Sequence, residues 1–310
     1  MPPAQRAAES AGEPQSVRSD PTPVGRAADP TRGRDAATPS PTIVRPERGW
    51  RLPDFREVWR YRELLAFLAL RDIKIRYKQT LLGAAWAVLQ PLLTMVIFSI
   101  FFGRLAKIPS DGVPYPVFAY TALLPWQLFA YSLTQASNSL VANERLVTKI
   151  YFPRLLIPLA AIVSSLVDFG IAFVVLLGML ALYGIVPGWG LLALPLLVLF
   201  AMTTSLAISL WLSALNVQYR DVRYVIPFLT QLWLFATPVA YPSSLLPESW
   251  RLVYALNPMA GVVEGFRWAL LGTSSSAGPM ILVSAAAVAV LLVAGLFYFR
   301  GAERHFADVV

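Results

Sequence analysis

Charge is scarce in this chain, so each place where it gathers calls for a chemical reason. In LNVQYRDVRYVIP, residues 215–227, Arg220, Asp221 and Arg223 stand between Tyr219 and Tyr224. The 65 residues from 155 to 219 hold one charged side chain, Asp168. Upstream, Arg71, Lys74, Arg76 and Lys78 crowd into residues 71–78, and downstream Glu264 and Arg267 sit three apart. A cluster of cations at the end of an apolar-faced stretch suits the headgroup layer of a membrane surface. A short mixed-charge loop with aromatic anchors suits a groove on a protein partner, where aromatics and arginine dominate binding. An acid inside an apolar run costs about 3 kcal/mol unless it faces protein or water, or is protonated.

Other chemistries are excluded by what is missing. There is no cysteine and one histidine, His305, which removes disulfides, cysteine metal sites and Cys/His nucleophiles. No phosphate-binding GxxxxGK[ST] loop, no paired acids at D-x-D spacing and no histidine-bearing triad occur. The sequence therefore predicts no catalytic, cofactor or metal site on this chain. If ATP drives the protein, another polypeptide must bind it.

The elements that position these residues are apolar. Of 310 residues 56% are hydrophobic and 14% charged, and the mean hydropathy is +0.57, values of the membrane class. The net charge is +8, and the first fifty residues supply about one unit of it, seven arginines against six acids. The basic surplus thus surrounds the apolar segments and points to a membrane surface rather than to nucleic acid.

Residues 1–50 carry nine prolines and almost no large apolar side chains, the composition of a disordered tail. No secretory signal precedes the chain's apolar parts, so an internal span is expected to direct insertion. Residues 51–80 include WRYRELLAFLALRDIKIRYKQT, which reads as a basic amphipathic helix in the headgroup layer; the alternation over 72–78 leaves a short extended piece open.

Six apolar segments follow within 81–300, at about 83–102, 117–140, 157–183, 191–215, 225–240 and 279–299, measured against the roughly 20 residues a helix needs to span a bilayer. The expected fold is an all-α integral membrane protein with six spans, since lipid tolerates no irregular backbone and no barrel pattern appears. The fifth segment is short and bounded by Pro227 and Pro238. Between the fifth and sixth, residues 241–277 suit two short helices dipping into one leaflet, with Asn257 and Pro258 at their turn.

Counting Lys and Arg gathers Arg71, Lys74, Arg76, Lys78, Arg145, Lys149, Arg154, Arg220, Arg223, Arg300 and Arg304 on one side, against Arg104, Lys107, Arg251 and Arg267 on the other. Both termini, including the short segment 301–310, are expected in the cytoplasm.

Several readings stay open at this level. The loops ANERLVTKIYFPRLLIP (142–158, with Glu144, Arg145 and Lys149) and 215–227 fit partner handles of about two helical turns, or ordinary positive-inside loops with interfacial tyrosines. Asp168 fits a transport role, as in an ion-driven transporter, or helix packing with Ser164 and Ser165 one turn earlier. Trp86, Phe98, Trp126, Trp233 and Phe235 fit a path along which sugar rings stack, or interfacial belts and packing. Glu264 and Arg267 can pair on one helical face, or make a surface contact worth about 0–1 kcal/mol.

Four stretches taken in order, LRDIKIRYKQTLLGAAWAVLQPLLTMVIFSIFFG, VTKIYFPRLLIP, LNVQYRDVRYVIPFLTQLWLFATPVAYP and LNPMAGVVEGFRWALLG, resemble permease subunits of bacterial type-2 ABC exporters for lipid-linked polysaccharides, the O-antigen and teichoic acid group. The resemblance covers roughly 59–299. It implies a homodimer in the bacterial cytoplasmic membrane carrying two cytoplasmic ABC ATPase subunits, with ATP and magnesium on the ATPases and a lipid-linked glycan as substrate. It places an interface helix at 59–78, with Arg71, Lys74, Arg76 and Lys78 at the lipid headgroup. Coupling loops fall at 143–154 and 216–224, carrying Glu144, Arg145, Lys149, Tyr219, Arg220, Asp221 and Arg223. Re-entrant helices fall at 243–272, with Asn257, Glu264 and Arg267 as an outer gate.

Overall fold

The computed structural model describes residues 55–78, 83–273, 277–303 and 306, and every element among them is helical. The expected tail at 1–50, the start of the interface segment, Arg304 and His305 lie outside the described residues.

Two helices open the described chain, α1 (Phe55–Arg60) and α2 (Arg62–Lys78). The readings of 59–80 as helix or partly extended resolve to helix as far as Lys78. One face of α2 is fixed by Leu64, Leu65, Leu68 and Ala69, which pack around Ala160 and Val163. Its outward face mixes exposed Phe67, Leu70 and Ile75 with exposed Lys74 and Lys78. Apolar side chains flanked by cations on an outward face suit the boundary between headgroups and acyl chains.

Next come α3 (Gly83–Phe98), a π-helical continuation (Ser99–Leu105), and α4 (Tyr115–Ala142). The wide π turn brings Gly103 against Tyr115, where a Cβ would lie 2.9 Å from the ring. The first inner loop holds α5 (Glu144–Lys149), and the third apolar segment divides into α6 (Leu156–Ser164) and α7 (Leu166–Leu182). The break has a local cause. Ser164 and Ser165 return their hydroxyls to the carbonyls of Ala161 (2.8 Å) and Ile162 (2.6 Å), competing with the helical ladder and bending it.

A 3-10 turn (Trp189–Ala193) leads into α8 (Leu194–Gln218), followed by α9 (Val222–Phe235). A second 3-10 turn (Ser243–Leu245), α10 (Glu248–Tyr254), α11 (Pro258–Leu271) and α12 (Ala277–Glu303) complete the order.

Among the described residues, four helical stretches are long and apolar enough to cross a membrane: Ala85–Leu105, Leu156–Leu182, Trp189–Gln218 and Gly278–Glu303. The other two expected spans differ for physical reasons. Helix α4 has 28 residues, about 42 Å at 1.5 Å per residue, and no charged side chain, but serine, threonine, asparagine and glutamine dilute its hydropathy. It is the inner post of the bundle, buried along most of its length. Helix α9 has 14 residues, about 21 Å, shorter than the roughly 30 Å hydrocarbon layer.

Close helix contacts are made by small residues, as expected where lipid removes the hydrophobic force between helices. Ala136 on α4 and Ala201, Ser205, Ala207, Ser209, Ser213 and Ala214 on α8 are all buried. Gly295 lets α12 approach α8, since a Cβ there would meet the Ala207 carbonyl at 2.9 Å. Asn216 of α8 donates to Ser137 O (3.1 Å) and Asn138 Oδ1 (2.9 Å) of α4.

Candidate functional site

Three polar nodes interrupt this apolar body. The first lies where α2 meets α7. Asp168, in the first turn of α7, accepts hydrogen bonds from the Arg76 guanidinium and the Tyr77 hydroxyl. Both donors come from the end of α2, so the lone acid of the third segment is paired by that helix. Arg76 also donates to Ser164 Oγ (3.4 Å) and lies over the Tyr131 ring, 4.5 Å from its centroid. Burial, and then the bonded Asp168 carboxylate, push the Tyr77 phenol up to about 12, which keeps its proton available for donation. The local partners expected for Asp168, Ser164 and Ser165, act differently: Ser165 turns toward Ser132 (2.5 Å) and Ser164 toward Arg76.

The node borders a cavity of about 750 Å³ formed by α2, α3, α4, α7 and α9. Trp86, Gln90, Trp126, Gln127 and Thr230 are among its walls. Of the aromatics proposed for a path, Trp86 and Trp126 line this space, whereas Phe98 packs edge-on against Phe102 in the core. Trp233 meets Phe129 edge to face, and Phe235 is exposed on α9. The four basic residues separate as well. Lys74 and Lys78 are exposed, Arg76 serves Asp168, and Arg71 bonds Asp72 (2.8 Å) and Asn143 Oδ1 (2.8 Å).

The second node is the pair of inner loops. Glu144, Arg145 and Lys149 are exposed on α5, which Val147 anchors in a cluster with Leu140, Leu155 and Val217. Tyr219, Arg220, Asp221 and Arg223 are exposed too. A helix of about two turns was expected in each loop, but the second is a tight turn: Tyr219 is extended (φ −129°, ψ 107°) and α9 begins at Val222. Arg223 folds over its neighbour's ring and donates to Tyr224 Oη at 2.7 Å. Sequence reasoning missed the brace behind these loops. The Arg154 guanidinium donates to the main-chain carbonyl of Glu303 at the end of α12, its backbone N–H donates to the Glu303 carboxylate (3.3 Å), and its side chain faces Phe306. The cue was faint: an arginine at a loop end and an acid closing a long apolar helix.

The third node fastens the end of α9 to α10 and α11. Trp233 Nε1–H donates to Asn257 Oδ1 (2.9 Å), and Asn257 Nδ2 donates to Ala236 O (2.9 Å) and Thr237 Oγ1 (3.0 Å). The same Oδ1 accepts from Met259 N–H and caps α11. Beside it, Glu264 and Arg267 form an ion pair at 3.2 Å with side chains 3% and 1% exposed. This resolves the two readings of that pair, since a surface contact would leave both in solvent. Arg267 also donates to Val239 O (2.9 Å) and Tyr241 O (3.2 Å) and lies 3.7 Å from the Phe118 ring centroid.

The described chain is thus an apolar, multi-helix body whose helices are joined by polar contacts and whose loops expose mixed charge. Residues 63–271 match the ABC-2 type transporter family, and the chain belongs to it. It is 32% identical to the O-antigen export system permease protein RfbA of Myxococcus xanthus over 258 residues, 82% of this chain and 98% of that one. It is 30% identical to the RfbA permease protein of Klebsiella pneumoniae, covering 80% of this chain and 95% of the relative. The polysialic acid transport protein KpsM of Escherichia coli is 24% identical over 76% of this chain and 92% of its own length.

Proposed function

We propose that this chain is the transmembrane subunit of an ATP-driven exporter that moves a lipid-linked polysaccharide from the cytoplasmic to the outer side of the bacterial cytoplasmic membrane. The observation that carries this reading is the pair of inner loops, residues 143–154 and 216–224, with their charged side chains Glu144, Arg145, Lys149, Arg220, Asp221 and Arg223 exposed, on a member of the ABC-2 family whose relatives are named for O-antigen export and polysialic acid transport. Two soluble ATPase subunits, each holding ATP and magnesium, grip Glu144, Arg145 and Lys149 on one loop and Tyr219, Arg220, Asp221 and Arg223 on the other.

In this reading both termini are cytoplasmic, α4 and α9 complete six spans, and α10 and α11 form a re-entrant pair at the outer face. Asn257, Glu264 and Arg267 hold that pair at the exit. Two copies of the chain assemble, and the exposed apolar faces of α3 (Trp86, Leu89, Leu93, Ile97) and α9 (Phe228, Leu232, Phe235) support a seam there. The basic end of α2 meets the lipid headgroup, where exposed Lys74 and Lys78 supply point charges. An ion-driven mechanism centred on Asp168 gains nothing from a carboxylate already engaged by Arg76 and Tyr77.

Replacing Arg220 and Arg223 together with glutamate reverses the charge of the second handle and leaves the bundle untouched. The expected result is a folded permease that no longer co-purifies with an ATPase in mild detergent and exports at least tenfold less glycan. Normal export by that variant sinks the proposal.

A further inference from the structure

Helices α7 and α8 follow one another in the chain, and consecutive elements usually pack side by side. Here they stand apart. Helix α7 packs on α3 and α4 while α8 packs on α4 and α12, and the gap between α7 and α8 is a groove of about 590 Å³ with an apolar lining throughout. Leu166, Phe169, Phe173 and Leu177 supply one wall at the spacing of a single helical face. The other wall runs from Leu191 to Met202. Leu177, Leu191 and Leu199 of this lining are exposed, so the groove opens outward, between two stretches that are each long and apolar enough to cross a membrane.

The walls define what fits. No lining side chain carries a nitrogen or an oxygen, which leaves water, sugars and lipid headgroups without partners there. From Leu166 to Leu177 the helix rises about 16 Å at 1.5 Å per residue, half of a hydrocarbon layer roughly 30 Å thick. That is the depth of one leaflet. Packed interiors leave few voids larger than a water molecule, because lining atoms without neighbours lose their dispersion contacts.

We propose that the groove holds one acyl chain of a phospholipid from the surrounding bilayer, retained as a packing element between α7 and α8. The proposal stands apart from the export reading and needs only a membrane around the protein. Phe169 gives the site its consequence. Its ring stacks on Phe173, with centroids 5.8 Å apart and 16° between the planes, and it also lines the cavity beside Asp168. The acyl chain therefore backs the wall of that cavity.

The full chain, extracted in mild detergent, is expected to carry phospholipid through a delipidating wash, as weighed by native mass spectrometry. Val198→Trp fills the groove with an indole and is expected to retain about tenfold less phospholipid, while melting no lower than the washed wild type. The chain has no cysteine, so a single engineered one reports on one place. Leu199 lines the groove and is 57% exposed, whereas Leu196 lies outside it on the same helix and is 68% exposed. Leu199→Cys and Leu196→Cys, each labelled with bimane, are moved into vesicles of brominated phosphatidylcholine. Quenching of Leu199→Cys is expected to lag that of Leu196→Cys by about tenfold in time, since a held chain must leave first.

Equal quenching rates at the two positions overturn the proposal, and this readout holds even where Val198→Trp fails to fold. Full phospholipid retention by folded Val198→Trp overturns it as well. Disulfide-linked dimers of unlabelled Leu199→Cys formed in the membrane put a second copy in the groove, and a glycan-bearing lipid recovered in place of phospholipid puts cargo there; either result refutes it.

Discussion

Arg76, near the end of α2, is ion-paired with Asp168 in the third apolar segment, across 92 positions of sequence. The contact ties an element that packs beside the bundle to one that runs through it. Removing either partner alone leaves a part-buried charge without this counter-ion.

Arg76→Ala is expected to destabilise the protein by about 3 kcal/mol, the scale of an unpaired acid at depth in a bilayer. Asp168→Ala strands the arginine and costs a similar amount. The double variant Arg76→Ala, Asp168→Ala is expected to lose less than the sum of the two. Thermal unfolding midpoints in detergent give the coupling, and strict additivity of the losses refutes the ion pair as an energetic link.

Glu264→Ala uncovers Arg267, whose side chain is 1% exposed. Breaking a buried pair from one side typically costs about 3–5 kcal/mol. The variant is expected to aggregate on size-exclusion chromatography, whereas Glu264→Gln, which retains an acceptor for the guanidinium, is expected to remain monodisperse at reduced melting temperature. A fully stable Glu264→Ala protein contradicts the geometry.

Gly261 and Gly265 lie where α11 meets its neighbours. A Cβ on Gly261 would come within 2.6 Å of Ser284 Oγ and 3.2 Å of the Ile281 backbone. Gly261→Ala is therefore expected to cost about 1–3 kcal/mol as an overpacked contact. Ser284→Gly in the same chain relieves the nearer clash, so partial recovery of the melting temperature is expected, and no recovery shows that the strain lies elsewhere.

Asn257→Ala removes the acceptor of Trp233 Nε1 and the cap of α11 together. A loss of about 1–3 kcal/mol is expected from the unmet groups. Asn257→Asp keeps the acceptor but not the amide donors to Ala236 O and Thr237 Oγ1, and is expected to fall between the two. Equal stability of all three proteins argues against this joint.

Much of the fold was legible because apolar length is written locally. The segments that became α7, α8 and α12 announce themselves by twenty or more residues with one charge among them. Helix α4 was found by the absence of charge, although its serines and amides conceal a buried post; only its neighbours reveal that they face small residues rather than water. The second inner loop departs from expectation because Tyr219 takes an extended conformation that ends α8 and lets α9 begin at Val222.

The pairings were harder to read. Asp168 stood out as the lone charge, yet its partner waited 92 positions away among four basic residues that all resemble headgroup ligands. Arg154 and Glu303 meet across 149 positions. Glu264 and Arg267 were adjacent on a helical face, but their burial depends on Phe118 and on the carbonyls of Val239 and Tyr241, which the chain brings in from other elements.

Helix α9 starts one residue after Asp221 and carries Trp233 eleven residues further on, about 16 Å along its axis. A rod of that length pivoting by roughly 10° at the Tyr219 turn sweeps its indole through about 3 Å. The bond from Trp233 to Asn257 measures 2.9 Å, so a swing of that size either snaps it or drags the cap of α11 along. A rotation of α9 at the Tyr219 turn is thus expected to reach the start of α11 through this hydrogen bond.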